Sequence, residues 1–334
     1  MHTRAAGVSC NMKSKTRRAL PPFPHGSNMS VPVRSHAIDP GLLASLGSSI
    51  IWGMLPLYWH MLADTPARLI LYHRILWSCV FLLPLAILSG RMGEVVKAIT
   101  SRKTLLTLAL SSIILANNWL LFIWAVNSGN VLETSLGYYI NPLITICFGV
   151  VLFRDRPSRL GWAAIITATF GVTAEVFITG IVPWIALGLA ILFAIYGLLR
   201  KITPVESMPG LLVETFILAP VALALIMWTN LTTTMHAWGE TLPQTLLFMG
   251  TGIVTSVPLI LYGYGARHLP FTTLGILQYL SPTCSFLIAL FIFQEEFTPG
   301  RAISFTAIWI ALAVYTFDSL RIRNLARKTA HKET

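Results

Sequence analysis

NNWLLFIWAVNSGNVLETSLGYYINPL, residues 117–143, is the stretch whose reading decides the fold. By hydropathy it is the end of one apolar run and the start of the next, separated by Ser128, Gly129 and Asn130. By chemistry it carries what lipid rejects: Asn117, Asn118, Asn127, Glu133, Asn141, two tyrosines and Pro142. Hydrocarbon offers no hydrogen-bond partner, so such groups persist in a membrane helix only where other protein covers them or where they line a cavity. Helices that bear them belong inside a larger bundle.

The rest of the chain supplies that bundle. Only 11% of the residues are charged and the mean hydropathy is +0.70, against about 25% charged residues in a soluble domain. Apolar runs cover residues 40–62, 68–90, 104–126, 132–153, 159–178, 182–199, 210–229, 245–266, 271–293 and 301–319. Each approaches the roughly 20 apolar residues that a helical crossing needs. None shows the alternation of barrel strands. Residues 1–38 are basic and broken by prolines, a disordered cytoplasmic tail by composition, with Met12 and Met29 as alternative starts to Met1. Residues 321–334 form a second basic tail.

The formal charge of +11 is not a nucleic-acid footprint, because it sorts by side of the membrane. With the N-terminus in the cytoplasm, every Lys and Arg except Arg68, Arg74 and Arg301 falls in an inside segment. That asymmetry fixes orientation. It implies an even number of spans with both termini cytoplasmic, in the cytoplasmic (inner) membrane. Cys10, Cys79, Cys147 and Cys284 form no CxxC pair, so neither a metal site nor a disulfide framework is indicated.

The chain also repeats. Shifted by 140 positions, residues 124–155 lie without a gap over residues 264–295, pairing Tyr139 with Tyr279, Pro142 with Pro282 and Asp155 with Glu295. Five spans per copy is an odd number, so the second copy crosses the membrane upside down. RDRPSR (154–159) is accordingly rich in arginine, whereas its counterpart QEEFTPG (294–300) has no basic residue. The expected fold class is an all-α integral membrane protein with ten transmembrane helices in two inverted five-helix repeats, 39–180 and 181–320.

HRILWS (73–78), NNWLLFIWAVN (117–127), ETSLGYYINPL (133–143), YGLLRK (196–201) and QYLSPT (278–283) resemble the RarD family of permeases, within the EamA-type drug/metabolite transporter superfamily. The resemblance runs from about residue 40 to about residue 320. It implies EamA-type repeats around a central cavity walled mainly by helices 1, 3, 4, 6, 8 and 9. The usual name of the RarD group links it to chloramphenicol sensitivity.

Candidate site residues follow from the quoted stretch. Glu133, Gly137, Asn141 and Thr145 recur every fourth residue and so share one helix face, repeated as Thr273, Leu277, Ser281 and Ser285. Pro142 and Pro282 each lack an N–H and disturb the bond to Tyr138 and Gln278, placing helix breaks and free carbonyls near mid-membrane. With Asn118, Tyr139 and Tyr279, these residues form a candidate translocation surface. The same small and polar residues also fit interhelical packing, as do Gly41, Ser45, Ser49 and Gly53, and Ala186, Ala190 and Ala194. Trp119, Trp124, Trp184 and Trp238 fit interfacial anchors, and Glu175 and Glu214 lie near helix ends from which they could snorkel. Arg74, the basic residue inside an apolar run, is either a snorkelling side chain, a gate partner of Glu133 or a charge anchor.

No nucleotide-binding, HExxH or GxSxG motif is present. The expected function is secondary-active transport of a small metabolite or drug-like molecule by alternating access, with an intramembrane enzyme or a membrane scaffold as the alternatives. The expected partners are a small-molecule substrate and the lipid bilayer, without cofactor, metal or nucleic acid.

Overall fold

Apolar runs of this length leave the backbone one solution in lipid, the helix, and helices dominate the computed structural model. It describes residues 40–153, 158–268 and 277–330. Among them are eleven helices and no strand: α1 Pro40–His60, α2 Ala67–Leu88, α3 Met92–Thr100, α4 Arg102–Asn127, α5 Val131–Phe153, α6 Arg159–Thr179, α7 Trp184–Ile202, α8 Ser207–Thr232, α9 Leu242–His268, α10 Leu280–Phe291 and α11 Pro299–Ala330. Seven are long and apolar enough to cross a membrane, while Trp184–Arg200 and Leu280–Phe291 are shorter apolar helices. The residue 1–38 tail, most of the RDRPSR loop, Thr273 and residues 331–334 lie outside the described residues.

Two differences from the sequence reading have plain causes. Helix α3 lies in an expected loop: its nine residues are too few for a span, but they bury Val95 and Ala98, one turn apart, against α4 and α8. Helix α11 continues to Ala330, through much of the expected tail, because LRIRNLARKTA holds no Gly or Pro to stop it.

Side-chain contacts fix which helix ends meet. His60 at the end of α1 touches Phe293 beyond α10, Glu295 accepts from the first N–H groups of α5, and Gln244 at the start of α9 reaches Thr65. Trp124 near the end of α4 meets Trp184 at the start of α7. These ends form one pole of the bundle, the His60 pole. The opposite pole holds the first residues of α1 and the Ser158 cap of α6, whose hydroxyl donates to Asp318 of α11.

Helix starts repeat along the chain. Ala67 and Ser207, Arg102 and Leu242, and Arg159 and Pro299 open α2 and α8, α4 and α9, and α6 and α11, each pair 140 residues apart. Helix packing repeats with them: α1 packs on α9 as α7 packs on α4, α5 on α7 as α10 on α1, and α2 on α9 as α8 on α4. The pairs α2–α8, α5–α10 and α6–α11 also pack.

The small-residue stripes serve close packing. A Cβ on Gly53 would stand 2.5 Å from Cys284 Cβ of α10, and one on Gly137 would stand 2.8 Å from the Ala186 carbonyl of α7. Ser45, Ser49, Ala186, Ala190 and Ala194 are all buried.

Candidate functional site

Two buried charges organise the polar interior. Arg74 is the eighth residue of α2, ~10 Å along the axis from its start at the His60 pole. It is 5% exposed, so it does not snorkel. Its guanidinium carbon lies 4.0 Å from the ring centroid of Trp119 and 5.1 Å from that of Trp59. Tyr138 of α5 is close enough to interact with its charge. Nε and Nη1 of Arg74 have no hydrogen-bond partner. Arginine in a membrane interior costs ~2.5–3.5 kcal/mol, and each cation–π contact returns ~0.5–2 kcal/mol. The rings can offset much of the charge, but they leave N–H donors unused.

Glu214 is the eighth residue of α8, the same distance from the opposite pole. It is 1% exposed and fully engaged: it accepts from the hydroxyls of Ser111 and, at 3.3 Å, Tyr196, and Arg200 Nη1 stands 3.8 Å away. Aromatic rings run between the two charges. Tyr138 contacts Phe122 and Phe193, and Phe193 contacts Tyr196. Phe193 is 36% exposed, which leaves part of this face uncovered.

The expected gate pair is not formed. Among the described residues no carboxylate oxygen lies within 4.0 Å of Arg74. Glu133 instead lies by the backbone N–H groups of Ile185 and Ala186, in the first turn of α7, near the charges of Arg301 and Glu175, and its Oε2 has no hydrogen-bond partner. Pro183 stands at the N-cap of α7 and has no side chain able to cap it, so a neighbouring helix supplies the carboxylate. Glu295 does the same for α5, accepting from Val131 at 2.5 Å and Leu132 at 2.9 Å. Burial pushes its carboxyl up, and those N–H groups and Arg301 pull it partly back.

Other stripe residues act between helices. Asn118 donates to the Leu189 carbonyl at 3.1 Å and Asn141 to the Ala190 carbonyl at 3.0 Å, so α4 and α5 both hold α7 at adjacent residues. Ser285 donates to the Gly53 carbonyl and Ser135 to the Pro282 carbonyl. Ser281 presents its backbone to Gly53, and Gln278 lies beside Tyr262, which lies against Trp52. Tyr139 and Tyr279, paired by the repeat, meet with ring centroids 6.4 Å apart, and Tyr139 also bonds Thr283 at 2.6 Å.

The matched proline breaks are not matched in the fold. Helix α5 runs continuously through position 142. In the second copy a turn at Tyr279 precedes α10, and Pro282 falls in the first turn, where a missing N–H costs little.

Glu175 and Glu214 are buried rather than snorkelling, and Trp119 is part of the Arg74 cage rather than an anchor. Trp124 and Trp184 stay exposed, as anchors do. Trp59, Ser111 and Arg200 are site residues that the sequence reading left aside. The signal for Glu214 was present: it stands 140 positions after Arg74.

A groove of about 800 Å³ lined by Arg68, Asn117, Trp124 and Trp184 opens beside α2, α4 and α7, and one of about 380 Å³ lies among His60, Asn127 and Glu295. Arg74 lines neither groove.

Residues 39–175 match the model of the EamA-like transporter family. An uncharacterized transporter of Pseudomonas aeruginosa is 42% identical over 282 residues, covering 84% of this chain and 94% of that one. Protein RarD of Salmonella typhi is 40% identical, covering 84% of this chain and 95% of its own length. A solved crystal structure, 17% identical, matches with a TM-score of 0.54 over 84% of this chain and 99% of that one, a likeness of fold alone. The chain is thus a membrane protein that belongs to the EamA-like transporter family, in its RarD group.

Proposed function

We propose that this protein is a secondary-active transporter of the inner membrane that moves a small metabolite or drug-like molecule by alternating access. Ten helices, all but α3, cross the bilayer as two inverted five-helix repeats, α1, α2, α4, α5 and α6 against α7–α11, with both termini cytoplasmic. The His60 pole faces outward.

The observation that carries this reading is the shared offset of helix starts and helix contacts. Exchanging the two sets of five maps α1–α9 onto α7–α4, α5–α7 onto α10–α1, and leaves α2–α8, α5–α10 and α6–α11 unchanged. A two-fold axis in the membrane plane has this effect, and the Tyr139–Tyr279 contact pairs equivalent residues across it. Alternating access then requires no new fold: each half adopts the conformation the other held. At the His60 pole, the close approaches at Gly53 and Gly137 and the carboxylate caps of α5 and α7 hold the halves together. The substrate site lies between the halves, near Tyr138, Asn141, Gln278, Tyr279 and Ser281.

Counterflow into proteoliposomes containing the purified chain tests the reading. Saturable uptake of a labelled solute, driven by the same unlabelled solute inside, is expected. Flux of every tested solute that is equal in protein-free vesicles would contradict it.

A further inference from the structure

We propose that the substrates of this transporter are small organic monoanions, a single carboxylate on a flat apolar body, and that Arg74 binds the carboxylate. The inference rests on the transporter reading and adds the chemical class.

Among the described residues, Arg74 is a buried cation without a counter-charge. Arg200 has Glu214, Arg91 has Glu206, and Arg301 lies among Glu133 and Glu295. Arg74 has tryptophan faces, which attract its charge but accept none of its in-plane N–H bonds. With Nε and Nη1 unpaired, donors on two edges of its guanidinium are open to carboxylate oxygens.

The neighbours set the rest of the ligand. Trp59, Trp119, Tyr138 and Phe122 offer aromatic faces to a planar body, and the Tyr138 hydroxyl is a further donor near the guanidinium. His73, beside Arg74 in sequence, is stacked on Phe248 with Nε2 held 2.7 Å from the Ala237 carbonyl. It turns to α9 and the loop before it and adds no second charge to the cage. One cation balances one negative charge; a phosphate dianion would need another.

The test uses benzoate as probe, with benzamide as its uncharged isostere and benzylammonium as its cation, on the purified full chain in detergent and in proteoliposomes. Millimolar benzoate is expected to raise the unfolding midpoint, as any ligand of the folded state does, while benzamide and benzylammonium do not. Benzoate counterflow is expected to fall at least ~100-fold in Arg74→Gln, a loss the size of one charge-assisted pair, and to survive in reduced form in Arg74→Lys. If Arg74→Gln fails to fold, Arg74→Lys and the wild-type comparison of the three probes still decide. Benzamide or benzylammonium acting as strongly as benzoate, or a benzoate shift unchanged in Arg74→Gln, would overturn the inference while leaving transport intact. Absence of any benzoate shift or flux in a preparation that shows counterflow of another solute would overturn it too. Loss of all counterflow strikes the transporter reading itself.

Discussion

Arg74 and Glu214 stand at one register in the two halves of the chain, each the eighth residue of its helix, and the protein treats them in opposite ways. Glu214 is enclosed by Ser111, Tyr196 and Arg200, so its charge is answered from within. Arg74 is enclosed by rings and has unpaired donors. Burial alone therefore does not define a site; the difference lies in whether the enclosure supplies a counter-charge. A charge met by its opposite holds helices together, whereas one without a counter-charge awaits a partner.

That contrast has a direct test in stability against transport. Glu214→Leu strands Arg200 and removes an acceptor from Ser111 and Tyr196, and breaking such a buried pair costs about 3 kcal/mol or more. A lower unfolding midpoint and lower membrane yield are expected. Arg74→Leu removes a charge that no carboxylate among the described residues pairs, so its midpoint should hold or rise while counterflow is lost. Equal loss of stability in both variants would break the comparison.

Next in size is the close packing at the His60 pole. Gly137→Val forces α5 from the Ala186 carbonyl of α7, an overpacking cost of roughly 1–3 kcal/mol, measurable as a lowered midpoint. Smaller again are the interhelical asparagines. Asn118→Ala and Asn141→Ala each lose one bond to α7, about 0.6 kcal/mol and at most ~1.7 kcal/mol. Asn141→Ala should also impair flux, since it lies next to the proposed substrate face; unaltered flux would return it to packing alone.

The smallest expected effect is at the caps. Glu133→Gln keeps an acceptor oxygen for α7 and should cost only about 0.5–1 kcal/mol. Because Glu133 and Arg74 are not paired, the exchange Arg74→Glu with Glu133→Arg should show no recovery over either single variant. Recovery of flux would restore the gate.

How much of this the sequence discloses depends on geometry. Every apolar run coincides at least in part with a helix, since hydropathy is summed along the chain. Depth is also legible, because rise per residue is fixed. Azimuth is not. Arg74 and Glu133 lie in the same half of the bundle but face different neighbours, Trp59 and Trp119 for one and the α7 N-terminus for the other, and only packing sets that rotation. Asn118 and Asn141 likewise read as a possible lining until the Leu189 and Ala190 carbonyls come into view.

The comparison of Arg74 with Glu214 presumes that the halves are inverted copies, so that equal register means opposite membrane faces. Cysteine labelling tests that most directly. In a background with Cys10, Cys79, Cys147 and Cys284 replaced, single cysteines at Ser128, Thr298, Arg159 and His268 are exposed in turn to an impermeant maleimide on intact cells. Ser128→Cys and Thr298→Cys should react, and Arg159→Cys and His268→Cys should react only after the membrane is opened. Arg159 opens α6 and Thr298 immediately precedes α11, the equivalent last helices of the two halves. Labelling of both from the same side would contradict the inversion, and with it the account of the two charges.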